Sequence, residues 1–311
     1  MLKDRLKTSA VLITITAILM WLDTTWSKPA GEGLWLMPLL LFFALGTAWD
    51  IASLLRDSGR SIHRPLVICG TAMITVSAAV PLFWPLAQAT YPPDCPIGQL
   101  GWIVIAAIAA VFCSLLTEMR SYGRDESEDS RTIERTCGAV FVSLYVGLPM
   151  ALLIGLRSMN SGNWGLAALV TLIAVTKSAD GGAYFAGKLL GKHKLIPRLS
   201  PGKTWEGLFG GIATATIVAF VCLTWLFPDS TGGITASGLS KPIWGALVLG
   251  PVLTLAGLAG DLAESLVKRA CGAKDSGNWL PGLGGVWDVT DSLIAAVMPA
   301  FLCFSAGIGG S

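Results

Sequence analysis

The chain has 311 residues, 53% of them hydrophobic and only 14% charged, against about 25% charged in an average soluble domain. With a mean hydropathy of +0.65 its apolar residues are too many for one buried core, which excludes an ordinary soluble protein and predicts a polytopic membrane protein. The near balance of 22 Lys and Arg against 20 Asp and Glu argues against a nucleic-acid binder, and the scarcity of polar residues argues against a disordered chain.

Apolar stretches long enough to cross a bilayer core, about 20 helical residues each, predict nine transmembrane helices near 8–26, 34–54, 65–88, 97–119, 136–156, 163–186, 206–228, 241–262 and 289–308. Lys3, Arg5 and Lys7 before the first span resemble a secretory signal, but the SKPAGEG after Trp26 offers no small-x-small cleavage site, so a retained helix is expected. Lys28, Arg157 and Lys241 fall on one side of the membrane, and nearly all other Lys and Arg on the opposite side. Cytoplasmic loops carry that excess, so the N-terminus is expected in the cytoplasm and the C-terminus outside. Compact loops and no transit peptide favour a bacterial inner membrane over an organelle.

The first five spans read as plain hydrophobic helices. Asp23, Asp50 and Glu118 lie near their ends, where a carboxylate reaches interfacial water. The stretch 120–135 mixes both signs densely and reads as a solvated linker. The seven cysteines form no CxxC pair and read as small hydrophobic residues. His63 and His193 are too far apart for a histidine metal cluster or a Ser/His/Asp triad, so any metal here must be held by carboxylates. Residues 1–160 are accordingly expected to form a scaffold and 161–311 a catalytic region, an all-α architecture with a polar cavity in the last helices open to the cytoplasm.

The chemistry concentrates after residue 176. Lys177, Asp180 and Tyr184 share one face of the sixth span. They read either as a functional group or as a self-neutralising Lys177–Asp180 pair. The following loop stacks Lys188, Lys192, Lys194, Arg198 and Lys203 beside Ser200, Thr204 and glycines, and runs into the seventh helix. Phosphate binding uses that combination of cations, hydroxyls and backbone N–H groups, although a loop touching lipid headgroups would explain the charges too. Walker spacing is absent. At the end of the eighth span Asp261, Glu264 or Ser265, and Lys268 line one helical face, and Asp288 and Asp291 lie three apart where the ninth span opens. Asp288 also suits a helix cap. Carboxylates on two helices beside many cations suit a divalent metal held over phosphates.

The run SLVKRACGAKDSGNWLPGLGGVWDVTD, Ser265 to Asp291, resembles the signature of the phosphatidate cytidylyltransferases, or CDP-diacylglycerol synthases, and the SPGKTWEG at 200–207 resembles a second hallmark of that family. The resemblance covers the C-terminal third to two-fifths of the chain. It departs from the pattern at Leu283, where the family has His before the Gly-Gly pair, and at Val289, where it has Arg. Lys268, Arg269, Lys274, Asp275, Asp288 and Asp291 are retained.

The resemblance implies transfer of CMP from CTP to phosphatidic acid, giving CDP-diacylglycerol and pyrophosphate, with Mg²⁺ as cofactor and room on family grounds for a monovalent cation such as K⁺. It implies Asp261 and Asp288 as metal ligands, with Asp291 and Asp180 supporting them. Ser200, Lys203 and Thr204 would hold nucleotide phosphates, and Lys268, Arg269 and Lys274 the lipid phosphate or the departing pyrophosphate. The partners expected are CTP, phosphatidic acid and membrane lipid, with the first five helices as a scaffold or a homodimer surface. A CTP-dependent lipid kinase, a cytidylyltransferase for another lipid phosphate, an inactive relative and a transporter are the alternatives. A transporter predicts ionisable residues at mid-membrane, whereas these cluster at one surface.

Overall fold

The computed structural model describes residues 2–26, 33–84, 91–92, 94–123, 130–160, 162–227 and 241–310. The helices are α1 (Leu2–Trp26), α2 (Met37–Asp57), α3 (Arg64–Ser77), α4 (Gly98–Ser121), α5 (Thr132–Arg157), α6 (Trp164–Leu190), α7 (Trp205–Trp225), α8 (Pro242–Ala270) and α9 (Trp287–Ser305). An antiparallel hairpin of β1 (Lys194–Ile196) and β2 (Ser200–Thr204) joins α6 to α7. Among the described residues eight helices, all but α3, are long and apolar enough to cross a membrane. The chain is an all-helical integral membrane protein carrying one small hairpin.

The third expected span is shorter than its apolar run. α3 stops at Ser77 and a 3-10 turn, Val80–Phe83, follows. Pro81 sits in that turn, and a proline cannot donate the helical hydrogen bond and disfavours an α-helical residue before it. The end of the run at 85–88, most of SKPAGEG and the acidic part of the linker at 124–129 lie outside the described residues.

The chain forms two compact units. The first comprises Met1–Gly155 with Ala270–Thr290, and the second Leu156–Arg269 with Asp291–Ser311. In the first, α2 to α5 bury a core that includes Met37, Ile74, Ile103, Ala110 and Ile154. Small residues let the helix backbones approach: a Cβ on Gly70 would meet Ser143 Oγ at 2.5 Å, and one on Gly147 would meet Ile74 Cβ at 2.9 Å. α1 leaves Leu6, Ile13 and Trp21 exposed, as a lipid-facing helix does. It is tied to this unit by Arg5 Nε donating to Gly282 O (2.7 Å) and Thr8 Oγ1 donating to Pro281 O (2.9 Å).

Asp23, Asp50 and Glu118 overturn the expectation of interfacial solvation, because all three are buried. Each has found a donor inside the protein. Asp23 accepts from Gly33 N (2.8 Å), Asp50 from Trp287 N (3.1 Å), and Glu118 from Nε and Nη2 of Arg135, the latter at 2.7 Å.

In the second unit glycines set the packing. Gly207, Gly210 and Gly211 of α7 face α6: a Cβ on Gly210 would lie 2.2 Å from Ala186 Cβ, and one on Gly211 3.0 Å from Ala179 O. On α8, Gly250 abuts Thr216 of α7, and Gly260 lies so close to α9 that a Cβ would come within 2.4 Å of Asp291 O. Trp164, Phe227 and Phe304 form an aromatic cluster with centroids 5.6–6.1 Å apart. The glycine contacts draw α8 and α9 together at the residues that carry carboxylates.

Candidate functional site

In the second unit three carboxylates converge. Oxygens of Asp261, Glu264 and Asp291 lie within 4.8 Å of one another. Asp261 and Glu264 are one helical turn apart on α8, and the glycine contact at Gly260 brings Asp291 of α9 against them. Glu264 and Asp291 are 3% and 7% exposed. Burying such groups is costly unless cations face them, and two do. Lys203 Nζ, at the end of β2, sits 2.5 Å from Asp261 Oδ2, and Lys268 Nζ, one turn along α8, sits 3.2 Å from Glu264 Oε2. Three carboxylates at this spacing offer the hard oxygen donors that a divalent cation takes.

A second group adjoins it. Lys177 Nζ lies 3.5 Å from Asp180 Oδ2 and donates to Ser292 Oγ at 2.9 Å, while Ser292 donates to Asp180 Oδ2 at 3.1 Å. Asp291 is within electrostatic reach of Lys177, Asp261 and Asp180. The Lys177–Asp180 pair therefore forms, as the self-neutralising reading expects, and is joined through Ser292 and Asp291 to the carboxylates. Glu264, which the sequence placed on one face with Asp261 and Lys268 without choosing it over Ser265, joins this constellation, and so does Ser292, to which sequence reasoning gave no role.

The hairpin presents the SPGKT residues. Lys194 pairs with Thr204 and Ile196 with Ser200. Thr204 is buried as the N-cap of α7, its Oγ1 accepting from Gly207 N at 3.1 Å, and Glu206 accepts from both the backbone N–H and the ring of His193. These contacts fix the hairpin on the start of α7 and hold Lys203 over Asp261. Ser200 is half-buried on the same strand. Arg269 follows Lys268 on the last turn of α8.

The rest of the signature lies in the first unit. Asp288 Oδ2 accepts from Ser276 N (3.1 Å), Ser276 Oγ (2.8 Å) and Gly285 N (2.7 Å). This carboxylate thus ties the start of α9 to the loop that carries the signature. Asp50, 1% exposed, supports the same loop from α2 by accepting from Trp287 N. The loop packs so tightly around Asp50 that a Cβ on either Gly277 or Gly285 would lie 2.5 Å from one of its oxygens. Lys274 and Asp275 are exposed and line a cleft of about 490 Å³ with Asp50, Trp49 and Trp279. Sequence reasoning read Asp50 as interfacially solvated and gave Ser276, though inside the signature, no role of its own; the partner of Asp50 is the Trp287 amide 237 residues along the chain and that of Ser276 is Asp288. Leu283, in place of the family's His, sits in the turn closed by Leu283 N donating to Leu280 O.

Residues 3–306 match the sequence profile of the cytidylyltransferase family. The phosphatidate cytidylyltransferase of Haemophilus influenzae is 41% identical over 140 residues, 45% of this chain and 46% of its own length. That of Brucella melitensis is 45% identical over 141 residues, 45% of this chain and 47% of its own length. That of Bacillus subtilis is 39% identical over 162 residues, 52% of this chain and 55% of its own length. The chain thus matches about half the length of these curated relatives. The profile match extends well beyond those stretches, over both the scaffold helices and the carboxylate-bearing ones, and the chain belongs to the cytidylyltransferase family.

Proposed function

We propose that the protein transfers the cytidylyl group of CTP to phosphatidic acid, releasing pyrophosphate. The observation that carries this reading is the cluster of Asp261, Glu264 and Asp291 with Lys203 and Lys268 against it, in a chain similar to phosphatidate cytidylyltransferases. An oxygen of the lipid phosphate monoester attacks the α-phosphorus of CTP, and the bond from that phosphorus to the bridging oxygen of the β-phosphate breaks. The nucleophile is already anionic at neutral pH, so the reaction needs charge neutralisation and alignment more than a general base.

Mg²⁺, bound through Asp261, Glu264 and Asp291, would neutralise charge on the nucleotide phosphates. Asp288, which the resemblance implies as a ligand, instead has its Oδ2 engaged by Ser276 and Gly285 in the signature loop. Lys203 holds nucleotide phosphates beside Asp261. Lys268 and Arg269 hold the lipid phosphate or the pyrophosphate. Lys177, Asp180 and Ser292 orient Asp291 from behind. A lipid substrate can leave its acyl chains in the leaflet, which gives the reaction a reason to occur on a membrane protein. The orientation proposed places the N-terminus and these residues on the cytoplasmic side of a bacterial inner membrane. If a homodimer forms, the first five helices are where a second copy would pack.

The test is incubation of purified protein with Mg²⁺, phosphatidic acid and CTP labelled separately on its α- and γ-phosphates, beside Asp261→Asn. Lipid labelled from the α-position alone, and lost in the variant, is the expected result. Lipid carrying the γ-label would make the protein a kinase. Absence of either label from a folded protein would sink the proposal for this lipid.

A further inference from the structure

A second concentration of positive charge lies apart from the signature. In the first unit a pocket of about 410 Å³ is lined by Arg56, Arg60, His63, Arg64, Arg131 and Arg135. They come from the end of α2, the start of α3 and the start of α5. Glu118 offsets Arg135 and also faces His63 at 3.4 Å, and the largely exposed Asp57 lies 3.8 Å from Arg64. Arg60 donates to Ser58 Oγ and to Cys271 Sγ, both uncharged partners. Arg56 and Arg131 have no carboxylate partner among the described residues. Among the described residues the pocket therefore keeps an excess of guanidinium charge.

Two further observations point to an anion. Arg64 stacks on Trp49, its guanidinium carbon 5.1 Å from the ring centroid, and its Nε is buried without a hydrogen-bond partner. α3 also starts here with no side-chain cap hydrogen bond from His63 and no acidic residue in its first turn, so its own sequence does not offset its positive dipole end. A positive-inside bias explains basic residues in a loop, but not their convergence on one concavity with a helix N-terminus. Arginines offer planar forks that match a phosphate, and a helix N-terminus adds backbone donors.

We infer that this pocket binds a phosphate-bearing anion at a site separate from the catalytic carboxylates. The ligand is the headgroup phosphate of an anionic membrane lipid or a soluble phosphate. The pocket sits where α2 and α4 end and α3 and α5 begin, a depth at which lipid headgroups lie. Arg56 and Arg131 supply the charge-assisted hydrogen bonds, with Arg64 held ready by Trp49.

The experiment is native mass spectrometry of the full chain from micelles holding equal phosphatidylglycerol and phosphatidylcholine, for the wild type, Arg56→Gln/Arg131→Gln and Asp261→Asn. A parallel titration uses pyrophosphate in solution. The lipid source predicts that the wild type and Asp261→Asn retain phosphatidylglycerol over phosphatidylcholine, and that the arginine double variant loses the preference by about tenfold or more. Pyrophosphate that displaces the lipid from the wild type and binds it at one site more than it binds the double variant would assign the same chemistry to a soluble phosphate. Equal lipid retention and equal pyrophosphate binding by the wild type and double variant would overturn the site. So would a loss of phosphatidylglycerol in Asp261→Asn alone, since it would place that lipid at the catalytic carboxylates. The single variants Arg56→Gln and Arg131→Gln, with thermal unfolding followed in parallel, keep the test open if the double variant misfolds.

Discussion

Asp261, Glu264 and Asp291 crowd three negative charges within 4.8 Å, and at an effective dielectric of 20 each pair at that distance repels by about 3.5 kcal/mol. Lys203 and Lys268 offset two of the charges and leave one in excess. A ligand that binds only the folded state at a hundred times its Kd stabilises by about 2.7 kcal/mol. Millimolar Mg²⁺ should therefore raise the thermal unfolding temperature of the purified protein and EDTA should lower it, with Asp261→Asn abolishing the difference. An unfolding temperature indifferent to Mg²⁺ in the wild type would remove the metal from this cluster. Asp50 yields a prediction of another kind, because it acts on backbone. Asp50→Ala leaves the Trp287 N–H without its acceptor and should cost about 1–3 kcal/mol, whereas Asp50→Asn keeps an acceptor and should cost less. Equal losses in both variants would mean that the charge of Asp50, rather than its hydrogen bond, holds the loop.

At the scale of elements, the β1–β2 hairpin delivers Lys203 because Thr204 caps the helix behind it. Thr204→Ala should lower stability by about 1 kcal/mol, the usual worth of such a cap, while Thr204→Ser restores it. A KM for CTP that rises in the alanine variant without any loss of stability would show that the hydroxyl serves the nucleotide instead. Close packing of α6 on α7 is similarly specific: a Cβ at Gly210 has Ala186 Cβ 2.2 Å away, so Gly210→Val should cost about 1–3 kcal/mol through overpacking, read as a lower unfolding temperature. Helices and motif clusters were legible in the sequence because hydropathy and i, i+3 spacing are local properties. The convergence of Asp261 and Glu264 with Asp291 was only half legible: the face of α8 could be read, but the contact at Gly260 that brings α9 against it is a tertiary fact. Asp50 was misread for the same reason. A carboxylate near a helix end looks solvated until the backbone amide that buries it, 237 residues along the chain, is known.

For the whole molecule, the distribution of Lys and Arg and the length of α3 pull in different directions. Fourteen helical residues rise about 21 Å, short of a ~30 Å hydrocarbon core. Yet Arg56 and Arg60 precede α3 and Arg64 opens it, while Arg120 lies in the last turn of α4, and the positive-inside rule puts both groups on one side only if the chain crosses between Arg64 and Gly98. The 3-10 turn Val80–Phe83 lengthens the segment toward the required span. Cys95 lies beyond it, and Cys271 follows Lys268 and Arg269 at the end of α8, so the proposed orientation puts the two thiols on opposite faces of the membrane. The Tyr91 side chain hydrogen-bonds Cys95 and holds its thiol below the ordinary range, so more of it is thiolate, the reactive form, at a given pH. In single-cysteine variants a membrane-impermeant maleimide should label Cys95 in intact spheroplasts, and at a lower pH than an ordinary thiol requires. Cys271 should be labelled only after permeabilisation. If both thiols were protected until the membrane is opened, the segment from Arg64 to Gly98 would enter and leave on the same face, and the charge count that orients every later helix would have to be inverted from α4 onward.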